Sequence, residues 1–257
     1  MNRFIRTAGV LLISFLLFAG LGCTKQEKTE LTVSAAASLR DALTEIQKNY
    51  EKEQKNIKIS FNFGSSGALL QQIEQGAPVD LFFSAAEDKF QVLVDKGIIR
   101  KEESKNLLSN ELVLIVPKEK AAVEGFTSLK SKEVQKLALG MPESVPAGKY
   151  GKQLLASMGL WEELEKKVVY AKDVRQVLTY VETNNVDGGI VYKTDAQVSS
   201  KVKIVETAAK NTHDPIVYPL GIIRASKHKE EAKRFYQYLQ TKQALEVFEK
   251  YGFQIEK

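Results

Sequence analysis

Cysteine is nearly absent from this chain. Cys23 is the only one, so an internal disulfide is excluded. Histidine is scarce too. His213 and His228 are the only two, both in polar segments, and neither stands at zinc-ligand spacing. No glycine-rich phosphate loop of the G-x-x-x-x-G-K-S/T type occurs. No basic block is interleaved with aromatics, which argues against a nucleic-acid surface. The formal charge of +5 includes Arg3 and Arg6. Without them it is about +3, and Lys alternates with Glu along stretches such as Lys227 to Arg234, the pattern of a solvated surface. Hydrophobic residues at 44% and charged residues at 27% are ordinary for a globular domain.

The first stretch is a targeting segment rather than fold. Arg3 and Arg6 form a positive n-region, and Val10 to Gly20 is almost wholly apolar. That run is too short for a comfortable membrane span. Residues 1–22 therefore read as a secretory signal, and Cys23 directly behind it reads as a lipoprotein acceptor. Gly20 departs from the usual pattern, where Leu is commoner. Simple cleavage leaving a free thiol, or an uncleaved anchor, are the alternatives. The polar stretch after Cys23, as far as Glu30, reads as a flexible tether. The mature chain would be extracytoplasmic and anchored to the cell membrane.

From Leu31 the chain alternates strand and helix. Strands are expected at Leu31–Ala36, Ile57–Phe63, Val79–Ser84, Leu112–Val116, Leu137–Gly140, Val168–Ala171, Gly189–Tyr192, Val202–Val205 and Ile216–Ile223. Leu39, Ala42, Leu43, Ile46 and Tyr50 follow at helical spacing, with Ser38 as N-cap and Asp41 completing a capping box. Further helices are expected from Ala68 to Gln75, from Glu87 to near Gly97, after Pro146-Ala147-Gly148, from Asp173 and from Lys229. This predicts an α/β fold with mainly parallel sheets.

Small-residue turns recur between strand and helix, at Ala36-Ala37-Ser38, Gly64-Ser65-Ser66-Gly67, Val145-Pro146-Ala147-Gly148 and Lys172-Asp173-Val174. In open α/β sheets ligands bind beyond the C-terminal ends of strands, where helices begin. Helix N-termini present unpaired N–H groups and partial positive charge, which suits an anion. Small side chains admit close approach, and a serine hydroxyl adds a rotatable donor. For each serine an ordinary capping or turn role competes with ligand binding.

The segments "TVSAAASLRDAL" and "FGSSGALLQQIEQGAPVDLFFSA" resemble the molybdate-binding proteins of bacterial ABC uptake systems. The likeness continues through "MPESVPAGKYGKQLL", "AKDVRQVLTYVE", "GGIVYKTDA" and "FEKYGF", in family order and over nearly the whole mature chain. The resemblance implies a periplasmic-binding-protein type II fold, each of two lobes a mixed sheet flanked by helices, with the ligand cleft between them. It implies high-affinity binding of molybdate or tungstate, no enzymatic activity, no cofactor, a monomer, and a membrane permease of an ABC transporter as partner. Carried over residue by residue, the ligand set is the hydroxyls of Ser38, Ser66 and Tyr192 and the backbone N–H groups of Ala147 and Val174. Molybdenum enters only as the oxyanion, with no direct protein–metal ligand. Ala37 and Ser65 are implied as shaping neighbours. Gly67 departs from relatives with a third serine and is expected to loosen its loop. The first lobe is expected over residues 31–110 plus 219–257, the second over 111–218.

None of the five positions is charged. About seven neutral donors at roughly 1.5 kcal/mol each give on the order of 10 kcal/mol, a submicromolar dissociation constant once lobe closure is included. Such a site disfavours protonated phosphate, which needs an acceptor, and must reject sulfate by size. Molybdate and tungstate are not separable on this basis.

Other residues have structural readings. Arg175 is expected to pair with Asp173 or another acid, Asp80 to serve a backbone or basic group, Trp161 and Tyr180 to pack, and the histidines to be solvated. One rival is a serine hydrolase, which needs a base beside Ser38 or Ser66, and no G-x-S-x-G elbow surrounds Ser66. The other is a binder of the same fold for sulfate or a small organic anion.

Overall fold

The computed structural model describes residues 28–119 and 123–256. The expected signal, Cys23 and most of the tether lie outside the described residues.

Among the described residues eleven strands form two sheets. The first contains β1 (Thr29–Ala36), β2 (Ile57–Gly64), β3 (Leu81–Phe83), β4 (Ile99–Ser109), β10 (Val217–Ile223) and β11 (Gln254–Ile255), in the order β11-β4-β10-β3-β1-β2. The second contains β5 (Leu112–Pro117), β6 (Leu137–Gly140), β7 (Val168–Ala171), β8 (Gly188–Tyr192) and β9 (Val202–Thr207), in the order β7-β6-β8-β5-β9. Around the first lie α1 (Arg40–Glu53), α2 (Ser66–Glu74), α3 (Glu87–Asp95), α8 (Lys229–Tyr238) and α9 (Lys242–Lys250). Around the second lie α4 (Pro146–Ser157), α5 (Trp161–Leu164), α6 (Val174–Glu182) and α7 (Lys193–Gln197).

The sheets are mixed rather than mainly parallel. β1 runs parallel to β2 and β3, and β6 to β7 and β8. β10 opposes β3 and β4, and β5 opposes β8 and β9. The chain crosses between lobes at Asn110-Glu111 and again between β9 and β10. A strand that enters a lobe at the cleft must run against strands that end there, which makes β5 and β10 antiparallel to their βα neighbours.

Several elements differ from expectation, and three of the differences matter for the lobes. β1 begins at Thr29, so Thr29 and Glu30 are strand rather than tether, and the Lys58 ammonium lies 3.1 Å from Glu30. Val217 and Tyr218 pair with Ser109 and Leu108 in the first sheet, although they were expected in the second lobe. β4 was not foreseen, because its Arg-Lys-Glu-Glu-Ser-Lys stretch is mostly exposed and carries no apolar alternation.

The core follows the periodicity. α1 buries Ala42, Leu43, Ile46 and Tyr50 in the same core cluster as Leu31 and Val33 of β1, which are fully buried. Each large apolar side chain removed from water in this way contributes about 1.5–3 kcal/mol.

Candidate functional site

The register of the parallel strands brings their C-terminal ends together. Ala36 pairs with Gly64, and Ala35 with Phe83. In the other lobe Gly140 pairs with Ala171, and Ala138 with Gly189. The segments that leave these strands face one another across the cleft. They enclose a cavity of about 10 Å³ lined by Ala36, Ala37, Ser38, Gly64, Ser65, Ser66, Ala85, Val145, Pro146, Ala147, Asp173, Val174 and Tyr192. That is about the space of one water-sized sphere, so the two lobes stand close together around it. Ser38, Ser66, Ala147, Val174 and Tyr192 all converge on it.

In the first lobe the expected capping role of Ser38 is not realised. Ala37–Leu39 forms a 3₁₀ turn, Leu39 is the N-cap of α1, and no side chain caps that end. Asp41 turns to Arg175 instead of completing a capping box. Ser38, 3% exposed, lies 3.0 Å from the Tyr218 hydroxyl. The two adjacent serines divide their work. Ser65 is the N-cap of α2 and accepts from the Ala68 N–H at 3.4 Å. Ser66, fully buried, accepts from the Ala85 N–H at 2.9 Å. A backbone donor occupies the Ser66 oxygen, so its proton is left for the cavity.

Gly67 does not loosen its loop. Its N–H donates to the Ser144 carbonyl of the second lobe at 2.9 Å. A Cβ at Gly67 would stand 2.7 Å from both Cα and O of Ser144. Absence of a side chain is what lets the two lobes touch there.

In the second lobe Pro146 occupies the first turn of α4, and Val145 provides no side-chain cap. First-turn N–H groups have no intrahelical partner, and Pro146 has none to offer, so Ala147 presents the first free donor. α6 starts in the same way. Asp173 caps it by accepting from the Gln176 N–H at 2.9 Å, so the cap does not use the N–H of Val174, which lines the cavity. Tyr192 ends β8 at 1% exposure, and its hydroxyl finds no protein partner. Burial holds its phenol well above the ordinary range, so it remains a donor. A buried hydroxyl without a partner is costly, and at the cavity wall this one is open to an incoming atom.

Among the described residues no lysine or arginine lines the cavity, and Asp173, committed to its helix, is the one charged residue there. Arg175 is turned away. Its guanidinium binds Asp41 of the first lobe and lies 2.8 Å from Asp195 of the second, which realises the expectation of pairing with an acid other than Asp173. Burial pushes the Asp195 carboxyl up to about 6, while Arg175 pulls it down. A second ion pair crosses the cleft from Lys149 to Asp88 at 3.3 Å.

The remaining candidates are structural. Asp80 accepts from the Thr32 N–H at 2.8 Å and from the Ser226 hydroxyl at 2.6 Å. Trp161 and Tyr180 pack on the core. Both histidines are half-buried rather than fully solvated, and neither lines the cavity beside Ser38 and Ser66. Tyr218 and Asn110 were missed. Both lie at lobe crossings, and in sequence they are an ordinary strand tyrosine and an ordinary turn asparagine.

The model of the bacterial extracellular solute-binding proteins matches residues 31–254. YvgL of Bacillus subtilis (strain 168), which carries the provisional name of an ABC transporter substrate-binding lipoprotein, is 58% identical over 95% of this chain and 96% of its own. The molybdate-binding protein ModA of Escherichia coli (strain K12) is 39% identical over 93% of this chain and 95% of its own. The periplasmic molybdate-binding protein of Azotobacter vinelandii shares the fold, with a TM-score of 0.80 at 24% identity over 88% of this chain and 100% of that one. The chain belongs to the bacterial extracellular solute-binding proteins, and it is a binding protein rather than an enzyme.

Proposed function

We propose that this protein captures molybdate or tungstate outside the membrane and delivers it to the permease of an ABC transporter. Ser38 and Ser66 from one lobe, with Ala147, Val174 and Tyr192 from the other, would hold the ion. The carrying observation is the convergence of these donors on one small cavity without a lysine or arginine, where the Tyr192 hydroxyl has no protein partner. Neutral donors around a fully deprotonated oxyanion stabilise it without a buried counter-charge, and a mobile ion must also be released. Relatives named molybdate-binding support the reading.

The lobes, residues 29–110 with 217–257 and 111–216, would part to admit the ion and close to join both donor sets. The permease would read the closed form. Lipid on Cys23 would keep the monomeric protein at the membrane. Labelling with a fatty-acid analogue, lost in Cys23→Ser, tests the anchor.

Titration calorimetry with molybdate, tungstate, sulfate and phosphate tests the ligand. Submicromolar binding of the first two, with far weaker binding of the others, supports the proposal. Silence with both, or a preference for sulfate or a small organic anion, rejects it.

A further inference from the structure

Ser38 has one proton, and whether that proton faces the cavity is decided two hydrogen bonds away, at Asn110. The Glu111 N–H donates to Asn110 Oδ1 at 2.9 Å. That bond fixes the amide orientation, so Asn110 Nδ2 faces two hydroxyls. It donates to Tyr218 at 3.2 Å and to Thr194 Oγ1 at 2.9 Å. An amide NH₂ only donates, so the Tyr218 oxygen must accept. The single Tyr218 proton then has Ser38 Oγ, 3.0 Å away, as its partner. The Tyr218 ring cannot swing aside. It is fully buried, edge-on to Phe253 at 5.4 Å and to Tyr192 at 5.8 Å between centroids.

We propose that Asn110 and Tyr218 form a hydrogen-bond relay that fixes Ser38 as a donor toward a fully deprotonated oxyanion, which makes both specificity-determining positioning residues. The inference rests on the oxyanion reading above. A Ser38 oxygen already receiving the Tyr218 proton has its own proton to offer the ligand. It is also poorly placed to accept from a protonated ion such as hydrogen phosphate, so the relay excludes such ions as it binds others. Ser66 is held the same way by the Ala85 N–H. There the director is backbone, and only the Ser38 arm runs through side chains. The relay spans the first crossing between lobes at Asn110, the second near Tyr218, and Thr194 in α7.

The test is calorimetry with molybdate and with phosphate on wild type, Tyr218→Phe, Ser38→Ala and the double variant, with melting of the ligand-free proteins as a fold check. In the relay, Tyr218→Phe weakens molybdate about tenfold, the scale of one hydrogen bond to a charged group. On a Ser38→Ala background it adds less than about twofold, because its effect acts through that hydroxyl. It also narrows the preference for molybdate over phosphate, since a freed Ser38 can accept. An equal loss in both backgrounds, or equal weakening toward both anions, overturns the relay. Should Tyr218→Phe fail to fold, Asn110→Asp and Asn110→Ala decide. Asp reverses the polarity and must weaken molybdate more than Ala does, and the opposite or equal order overturns the proposal. A wild type silent toward molybdate overturns the oxyanion reading and the relay with it. A wild type that binds, with variants that do not couple, overturns the relay alone.

Discussion

Asp41, in the first turn of α1, reaches across the cleft to the Arg175 guanidinium in the first turn of α6, so one ion pair joins the two lobes beside the cavity. Arg175 is 19% exposed and Asp41 37% exposed, while Asp195 on the far side is fully buried. The two variants of this arrangement should therefore behave differently. Asp41→Asn removes a half-screened partner and should weaken ligand binding by no more than about 1 kcal/mol, with a larger ligand-free radius of gyration by X-ray scattering. Arg175→Met strands Asp195 and should lower stability by about 3–5 kcal/mol at neutral pH, read by denaturant unfolding. Equal effects would mean that Asp195 does not depend on the guanidinium.

The pH response of Asp195 has a definite sign. Burial raises its folded pKa from 3.8 to about 6. The folded state therefore holds this proton more tightly than the unfolded chain. Its contribution is least favourable above about pH 6 and improves as pH falls toward 4, by about 3 kcal/mol for a shift of roughly two units. Glu30, Glu45 and Asp214 have lowered values and act in the opposite sense. The effect is isolated as the stability difference between wild type and Asp195→Asn, which should shrink as pH is lowered from 7 to 4. A pH-independent difference would show that Asp195 titrates normally.

Tyr192→Phe and Ser66→Ala each remove one hydroxyl from the cavity. Both should weaken molybdate binding by about 1–3 kcal/mol. They should part on stability. The Tyr192 hydroxyl has no protein partner, so its loss strands nothing and the ligand-free melting temperature should hold or rise. Loss of the Ser66 hydroxyl leaves the Ala85 N–H without its acceptor, and melting should fall. Matching losses of stability would place a protein partner on Tyr192.

Gly67→Ala tests closure. The added Cβ meets the Ser144 backbone at 2.7 Å, across the contact between the lobes. Overpacking of this kind costs about 1–3 kcal/mol. Affinity should fall accordingly, while ligand-free melting stays near wild type because the lobes can separate. Scattering should show the opened form. Unchanged affinity would mean that Ser144 yields easily.

The sequence by itself determined the alternating α/β class, the core face of α1 and the small-residue turns that end the strands. Each is local: periodicity of 3.6 or 2 residues records which face meets the core, and a turn of Gly, Ala and Ser records where backbone must come close. The five cavity residues were named by resemblance. What only the tertiary structure decided is how they are held. Ser65 rather than Ser38 became a helix cap, since the Ser38 hydroxyl found Tyr218, 180 positions away. Asp41 left its own helix end for Arg175, 134 positions away. The polar β4 became a strand because β10 and β11 flank it. Gly67 met Ser144 because two lobes shut on each other. Periodicity carries no trace of such pairings, because a hydrogen bond or ion pair between distant residues depends on where folding brings them and not on the residues beside them in the chain.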